Sequence, residues 1–263
     1  MEIDGMKSDI RQEAAQFYDL NPNFPQDIPF YRELLPSLSA SVLELGCGTG
    51  RVMTALASHC AFIQGIDISP AMVDLCRSKI AGLGLPSGRA TVSVGDISEF
   101  DLGRQFEFII APYRVLQNLE TTAEVDGLLA CVRRHLARDG TCILNAFNPN
   151  CGPDELRETW LVPGDRLNWE ATTADGKVAC YDRRVRLDKE QLVLYPDLVY
   201  RHYRGSSLLR EVVLHIAMRC YYPETIEQLV LDHRFEIANR WGGYLGEQYA
   251  KGPELILQFK VGA

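Results

Sequence analysis

Three glycines at every second position, Gly46, Gly48 and Gly50, interrupt the chain between an apolar run that closes on an acid (Val42-Leu43-Glu44-Leu45) and a stretch where Val52, Met53, Leu56 and Ala57 recur at helical spacing. That order reads as strand, tight turn, helix. A turn without Cβ atoms lets a ligand come close to the backbone, and the N–H groups at the start of the following helix face that ligand. A plain strand-to-helix turn needs one glycine. Three alternating ones, with Glu44 before them and Asp67 closing the next apolar run, point to a nucleoside-containing ligand.

From residue 41 the pattern alternates regularly. Strands are expected at 41 to 46, 61 to 67, 90 to 95, 106 to 111 and 140 to 147, with helices at 49 to 58, 70 to 82 and 122 to 138. Strands separated by helices of this length imply right-handed crossovers and hence an α/β fold with a parallel, doubly wound sheet. Gly82-Leu83-Gly84, Pro86-Ser87-Gly88 and Asp139-Gly140 read as helix-ending turns. Two short helices are expected ahead of the first strand, over 8 to 20 with Ser8 or Asp9 as cap and over 27 to 35. They can fold over the glycine turn as a cover that carries Tyr18 and Tyr31.

After Asn148-Pro149-Asn150 the period changes to two. Segments 166 to 171, 178 to 187, 191 to 200 and 208 to 221 are rich in Val, Leu, Tyr and Arg and are separated by Ala174-Asp175-Gly176 and Arg204-Gly205-Ser206-Ser207. They read as an antiparallel meander. A helix from Pro223 to about His233 and strands at 234 to 241 and 254 to 261 close the chain. The expected organisation is a helical cover (1–40), a ligand-binding α/β domain (41–150 with 222–263) and an antiparallel β insertion (151–221).

Composition excludes several functions. A net charge of −8 and a pI near 5.2 disfavour a polyanionic partner, because nonspecific nucleic-acid affinity rests on Lys and Arg. No run of about 18 apolar residues is present, and the start, Met1-Glu2-Ile3-Asp4-Gly5, lacks the basic and then apolar pattern of a leader. No membrane association and a cytoplasmic location are therefore expected. Eight cysteines lie scattered without a CxxC pair and read as structural thiols, and five dispersed histidines form no metal-ligand spacing. No metal is expected.

Two ligand classes use such a turn. A dinucleotide fingerprint needs GxGxxG, and Arg51 stands where its third glycine belongs. By contrast, Glu44-x-Gly46-x-Gly48-x-Gly50 resembles the first motif of the class I S-adenosylmethionine-dependent methyltransferases. Gly65-Ile66-Asp67-Ile68-Ser69-Pro70-Ala71-Met72 is similar to their second motif, and Gly95-Asp96-Ile97 to their third. The resemblance covers about residues 9 to 150 and the closing helix and strand pair. It implies a Rossmann-like seven-stranded sheet whose last strand runs antiparallel, with S-adenosylmethionine as cofactor and S-adenosylhomocysteine as product. It also implies roles. Gly46, Cys47 and Gly48 would face the methionine part, with Glu44 helping to hold its ammonium. Asp67 would take the ribose hydroxyls, Ile68 and Met72 would lie by the adenine face, and Asp96 and Ile97 would meet its edge. Ala111, with Pro112-Tyr113-Arg114, would line the wall toward the acceptor. Tyr18 and Tyr31 would border the cofactor, with Tyr18 and Arg114 as the candidate catalytic residues. Strand-end acids are also frequent helix caps, so Asp67 before Ser69-Pro70 has that second reading.

The acceptor is constrained mainly by absences. Ala111-Pro112-Tyr113-Arg114 departs at two positions from the Asn or Asp-Pro-Pro-Tyr type motif that resembles base and glutamine methylation, and no Pro-Cys pair suggests cytosine C5 chemistry. The leading Phe17-Tyr18-Asp19 and Asp27-Ile28-Pro29-Phe30-Tyr31, together with the β insertion, resemble small-molecule N-methyltransferases of the sugar-amine and glycine types, where the insertion encloses the acceptor or forms a subunit contact. The expected activity is methyl transfer to N or O of a small molecule by in-line displacement, with a homodimer as the possible assembly. A nicotinamide-dependent oxidoreductase and a noncatalytic cofactor-binding module remain the alternatives.

Overall fold

The computed structural model describes residues 3–262, with side chains from residue 11 onward. The chain divides into two compact units, one formed by Gln26–Asn150 with Cys220–Ala263 and the other by the residues up to Pro25 with Cys151–Arg219.

The larger unit is built on a seven-stranded sheet. Its strands are β1 (Ser41–Leu45), β2 (Phe62–Asp67), β3 (Ala90–Val94), β4 (Phe106–Ala111), β5 (Leu136–Phe147), β11 (Phe235–Trp241) and β12 (Glu254–Val261), in the spatial order β11-β12-β5-β4-β1-β2-β3. β1 through β5 pair in parallel, and β12 runs antiparallel to both β5 and β11. The α/β expectation, including the antiparallel last strand, therefore holds. Strand order reverses between β1 and β4, and in open α/β sheets ligands bind outside the carboxyl ends of the strands at such a point.

Central strands buried on both faces read as continuous apolar runs because their alternate side chains enter two cores. Val42, Phe108, Ile110, Ile143 and Ile256 pack on one face with α2 (Asp27–Glu33) and α3 (Arg51–Leu56). Leu43, Leu45, Ile109, Leu144 and Leu257 pack on the other with α5 (Thr122–His135) and α7 (Pro223–Asp232). Local chemistry sets the helix starts. Pro70 opens α4 (Pro70–Gly82) while the Ser69 hydroxyl accepts from Met72 N. Thr121 and Glu124 form a reciprocal capping box on α5.

The smaller unit is an antiparallel sheet, β10-β8-β7-β6 with β9 also on β8, made of β6 (Asp165–Thr173), β7 (Gly176–Asp188), β8 (Val193–Arg204), β9 (Ser207–His215) and β10 (Met218–Arg219). α1 (Ile3–Tyr18) covers one of its faces, with the Phe17 ring 5.7 Å from that of Tyr200 and Glu13 paired to Arg210.

Several boundaries differ from expectation. α1 begins at Ile3, and the side chains of Ser8 and Asp9, the expected caps, fall outside the described residues. β5 begins at Leu136, so Asp139-Gly140 lies inside a strand and ends no helix. The register of β5 on β4 slips there, and a Cβ on Gly140 would stand 3.0 Å from the carbonyl oxygens of both Phe106 and Glu107, so backbone crowding accounts for the glycine. A short helix, α6 (Pro153–Thr159), precedes the meander with Pro153 at its first turn, and the last expected segment, 208 to 221, splits into β9 and β10. The two leading helices fall in different units.

Candidate functional site

The carboxyl ends of β1, β2 and β4 bring most of the motif residues of the larger unit together. Gly46, Gly48 and Gly50 adopt φ of +65°, +54° and +81°, where a side chain is strained. Their surroundings differ. A Cβ on Gly46 would lie 2.6 Å from Val115 in the loop after β4, whereas one on Gly48 would meet nothing within 4 Å among the described residues. Gly46 thus closes the turn onto its neighbour, and Gly48 keeps a bare backbone facing open space.

Asp67 is buried and ties two loops together. Its Oδ2 accepts from Gly48 N at 2.8 Å and its Oδ1 from Ser69 N at 2.9 Å. The cap reading of Asp67 is therefore satisfied in part, since it accepts next to the true N-cap, Ser69. An ionised carboxylate offers about four acceptor positions, so two remain for hydroxyl donors. Glu44, on the α3 face of β1, is 3% exposed and its Oε2 has no hydrogen-bond partner among the described residues. Burial pushes its carboxyl well above the ordinary range. A buried acid with an orphaned oxygen one step below a bare glycine turn has the acceptor chemistry for a ligand cation, so the residues present fit a cofactor with an ammonium and a ribose.

The other expected residues take varied positions. Ile68 is half-buried, and Met72 and Ile97 are buried. Asp96 is exposed at the end of β3, with its Oδ1 held by Ser98 through N–H at 2.8 Å and Oγ at 2.7 Å. Cys47 is nearly buried, its N–H donating to Ile66 O, and Ala111 is buried at the end of β4. Tyr31 has no exposed surface and sits in the core under β1, its hydroxyl without a hydrogen-bond partner among the described residues and burial pushing its pKa up. Tyr18 lies at the end of α1 in the smaller unit, with its ring 5.3 Å from that of Phe24.

Arg114 is engaged by a partner that sequence reasoning did not identify. Its guanidinium donates to Glu254 on β12, its N–H donates to Asn145 Oδ1 at 3.0 Å, and Asn145 Nδ2 donates to Glu254 Oε2 and Tyr244 Oη, each at 2.9 Å. Tyr113 and Arg114 both have positive φ, 55° and 67°, so this buried network fixes a strained pair at the end of β4. Arg51 has a structural partner too. It grips the fully buried Asp27 at the start of α2 with two bonds of 2.6 and 2.7 Å, and its guanidinium stands 5.7 Å from the Tyr113 ring. The excess of acids and amides at strand ends was the available signal; their pairing was not.

Among the described residues, no cluster of His, Cys, Asp or Glu could hold a metal, and no helix is long and apolar enough to cross a membrane.

Known proteins resemble this chain in sequence and in fold. Residues 42–140 match the family model described as a methyltransferase domain. The chain is 27% identical over 212 residues to the dTDP-3-amino-3,6-dideoxy-alpha-D-glucopyranose N,N-dimethyltransferase of Streptomyces fradiae, a match covering 77% of this chain and 79% of that one. It is 26% identical over 157 residues to the dTDP-3-amino-3,4,6-trideoxy-alpha-D-glucopyranose N,N-dimethyltransferase of Streptomyces venezuelae, covering 60% of this chain and 57% of that one. The fold is similar to that of the CcbJ methyltransferase from Streptomyces caelestis, with a TM-score of 0.75, 20% identity, and 98% and 99% of the two chains covered. It is also similar to the sugar N-methyltransferase KedS8 from Streptoalloteichus, with a TM-score of 0.71, 19% identity, and 94% and 92% covered.

Proposed function

We infer that this chain, a class I S-adenosylmethionine-dependent methyltransferase, transfers a methyl group to the amine nitrogen of a small amino-sugar acceptor. The observation that carries the reading is the methyltransferase-domain match over residues 42–140, which spans a turn with a bare Gly48 backbone above the orphaned carboxylate of Glu44. The activities of the two Streptomyces relatives, both on amino sugars linked to dTDP, support the acceptor class. The acidic balance supports a small molecule over nucleic acid. A homodimer in the cytoplasm belongs to the same reading.

S-adenosylmethionine supplies a methyl group on a sulfonium, already activated for in-line displacement. The residues have to bind, orient and exclude water, and such positioning supplies up to about 7 to 11 kcal/mol. In this reading Glu44 takes the ammonium charge through the turn of Gly46, Cys47 and Gly48. Asp67 accepts the ribose hydroxyls with its free lone pairs. Ile68, Met72, Asp96 and Ile97 surround the adenine, and Ala111 with Tyr113 and Arg114 forms the wall toward the acceptor. Arg114 then acts by holding that wall, its guanidinium on Glu254 and its backbone N–H on Asn145, which is a positioning role. Tyr18 enters by resemblance alone, and Tyr18→Phe should lower turnover without changing cofactor affinity.

Calorimetry with S-adenosylmethionine and S-adenosylhomocysteine, followed by transfer of labelled methyl to free and nucleotide-linked amino sugars, tests the proposal. Saturable binding and N-methylated product are expected. A folded protein that gives no saturable heat with either cofactor form would overturn the cofactor reading, and binding without transfer to any amine would overturn the acceptor class.

A further inference from the structure

The segment that follows β3 is held against one face of α5 by its backbone. Leu102 N–H donates to His135 Nε2 at 2.9 Å, Phe100 N–H donates to Cys131 Sγ at 3.4 Å, and Phe100 O accepts from the Arg134 guanidinium at 3.1 Å. The Cys131 thiol lies 3.5 Å from Phe100 O and 3.7 Å from Ser98 O. Gly127 comes so close that a Cβ on it would stand 2.5 Å from Ser98 O. Gly127, Cys131 and His135 follow one another at four-residue intervals, so a single face of α5 meets Ser98, Phe100 and Leu102.

His135 is 1% exposed and its bonds fix its form. A backbone N–H can only donate, so Nε2 accepts from Leu102, and in the neutral ring the proton sits on Nδ1, 2.8 Å from Cys131 O. The segment so held carries Asp96. Asp96 Oδ1 accepts from Ser98 N at 2.8 Å and from Ser98 Oγ at 2.7 Å, and Asp96 O accepts from Glu99 N at 3.2 Å. Ser98 is therefore fastened to Asp96 on one side and to α5 on the other. Both side-chain bonds fall on Oδ1, which leaves the lone pairs of Oδ2 for another donor.

We propose that Gly127, Cys131 and His135 are positioning residues for the adenine edge of the cofactor: α5 holds Ser98, Ser98 holds Asp96, and Asp96 Oδ2 accepts from the 6-amino group. The proposal rests on the methyl-donor reading of the glycine turn. Asp96 is exposed, and an exposed carboxylate free to rotate must be ordered each time a ligand binds. Held in advance, it meets an amino group without that cost and sets one acceptor against another when the ligand carries an oxo group instead.

The test is calorimetry, at a temperature where each variant is folded, with S-adenosylhomocysteine and with S-inosylhomocysteine, whose base carries a 6-oxo group. Wild type should prefer the adenine form by about tenfold or more, as the loss of one charge-assisted hydrogen bond implies. Gly127→Ala suits a helix but drives a Cβ at Ser98 O, and His135→Leu leaves Leu102 N–H without its acceptor. Each should reduce the preference to about threefold or less, with affinity for the inosine form nearly unchanged. His135→Gln, whose amide oxygen can take the Leu102 N–H, should restore the wild-type preference, and Cys131→Ser should keep it where Cys131→Ala loses it. Should His135→Leu fail to fold, Gly127→Ala and Cys131→Ala decide the question. A merely structural role lowers Tm and leaves the preference intact, so wild-type preference in folded Gly127→Ala and Cys131→Ala would overturn the proposal alone. Wild type that binds neither form would sink the methyl-donor reading and the proposal with it, and wild type that binds both alike would remove Asp96 from the adenine edge and overturn the proposal there.

Discussion

Replacing Glu44 by glutamine should move two measurable quantities in opposite directions. The side chain keeps its size but can no longer ionise to meet a cation, at a site 3% exposed where one carboxyl oxygen has no partner among the described residues. A charge-assisted hydrogen bond to a ligand ammonium contributes about 1.5 to 3 kcal/mol, so the affinity for S-adenosylmethionine should fall by about 10- to 150-fold. The stability of the ligand-free protein should rise instead. The folded carboxyl has its pKa pushed above the reference value of 4.5 by burial, so in the window above that value the native state holds a proton the unfolded chain has released. The stabilising effect of this proton is complete below the unfolded pKa and is lost as pH rises toward the folded one. Wild type should therefore lose about 1.4 kcal/mol per pH unit relative to Glu44→Gln across that window, or about 3 to 6 °C in Tm. Thermal scans from pH 4 to 8 and calorimetry at pH 7 read both effects. Equal affinities, or a Tm difference that does not change with pH, would refute the reasoning.

Three further outcomes follow from the same geometry. Asp67→Ala orphans the Gly48 and Ser69 N–H groups and removes the hydroxyl acceptor, so about 1 to 3 kcal/mol of stability per N–H and about 100-fold in cofactor affinity should go together; urea unfolding and calorimetry check this, and intact affinity would leave Asp67 as a loop tie alone. Gly48→Ala should cost about 1 kcal/mol in the free protein but impair cofactor binding, whereas Gly46→Ala should cost more stability because its Cβ would meet Val115 at 2.6 Å; the paired denaturation curves distinguish them. Arg51→Ala leaves Asp27 buried without its guanidinium and should cost about 3 to 5 kcal/mol, read as a lowered urea midpoint, with partial recovery in an Asp27→Asn background.

What depends on local rules is legible in the amino-acid sequence. Alternating apolar runs and helical periods specify the parallel sheet, and helix 70 to 82 and strands 106 to 111 and 254 to 261 are found at those bounds because Ser69-Pro70 and the flanking polar turns mark them within a few residues. The glycine turn was equally legible, since positive φ at alternate positions is written in residue type. Tertiary structure decided whatever needs a partner far along the chain. Arg51 finds Asp27 24 residues earlier, and Arg114 finds Glu254 140 residues later, so neither guanidinium could be assigned from its own neighbourhood. Tyr31 carried the signature of a polar aromatic at a site, yet packing under β1 buries it entirely. Cys76 looked like one scattered thiol, yet its Sγ lies 3.8 Å from Met53 Sδ on another helix. Periodicity and turn chemistry are local and survive in one dimension; charge pairing, burial and sulfur contacts exist only once the strands have been placed side by side.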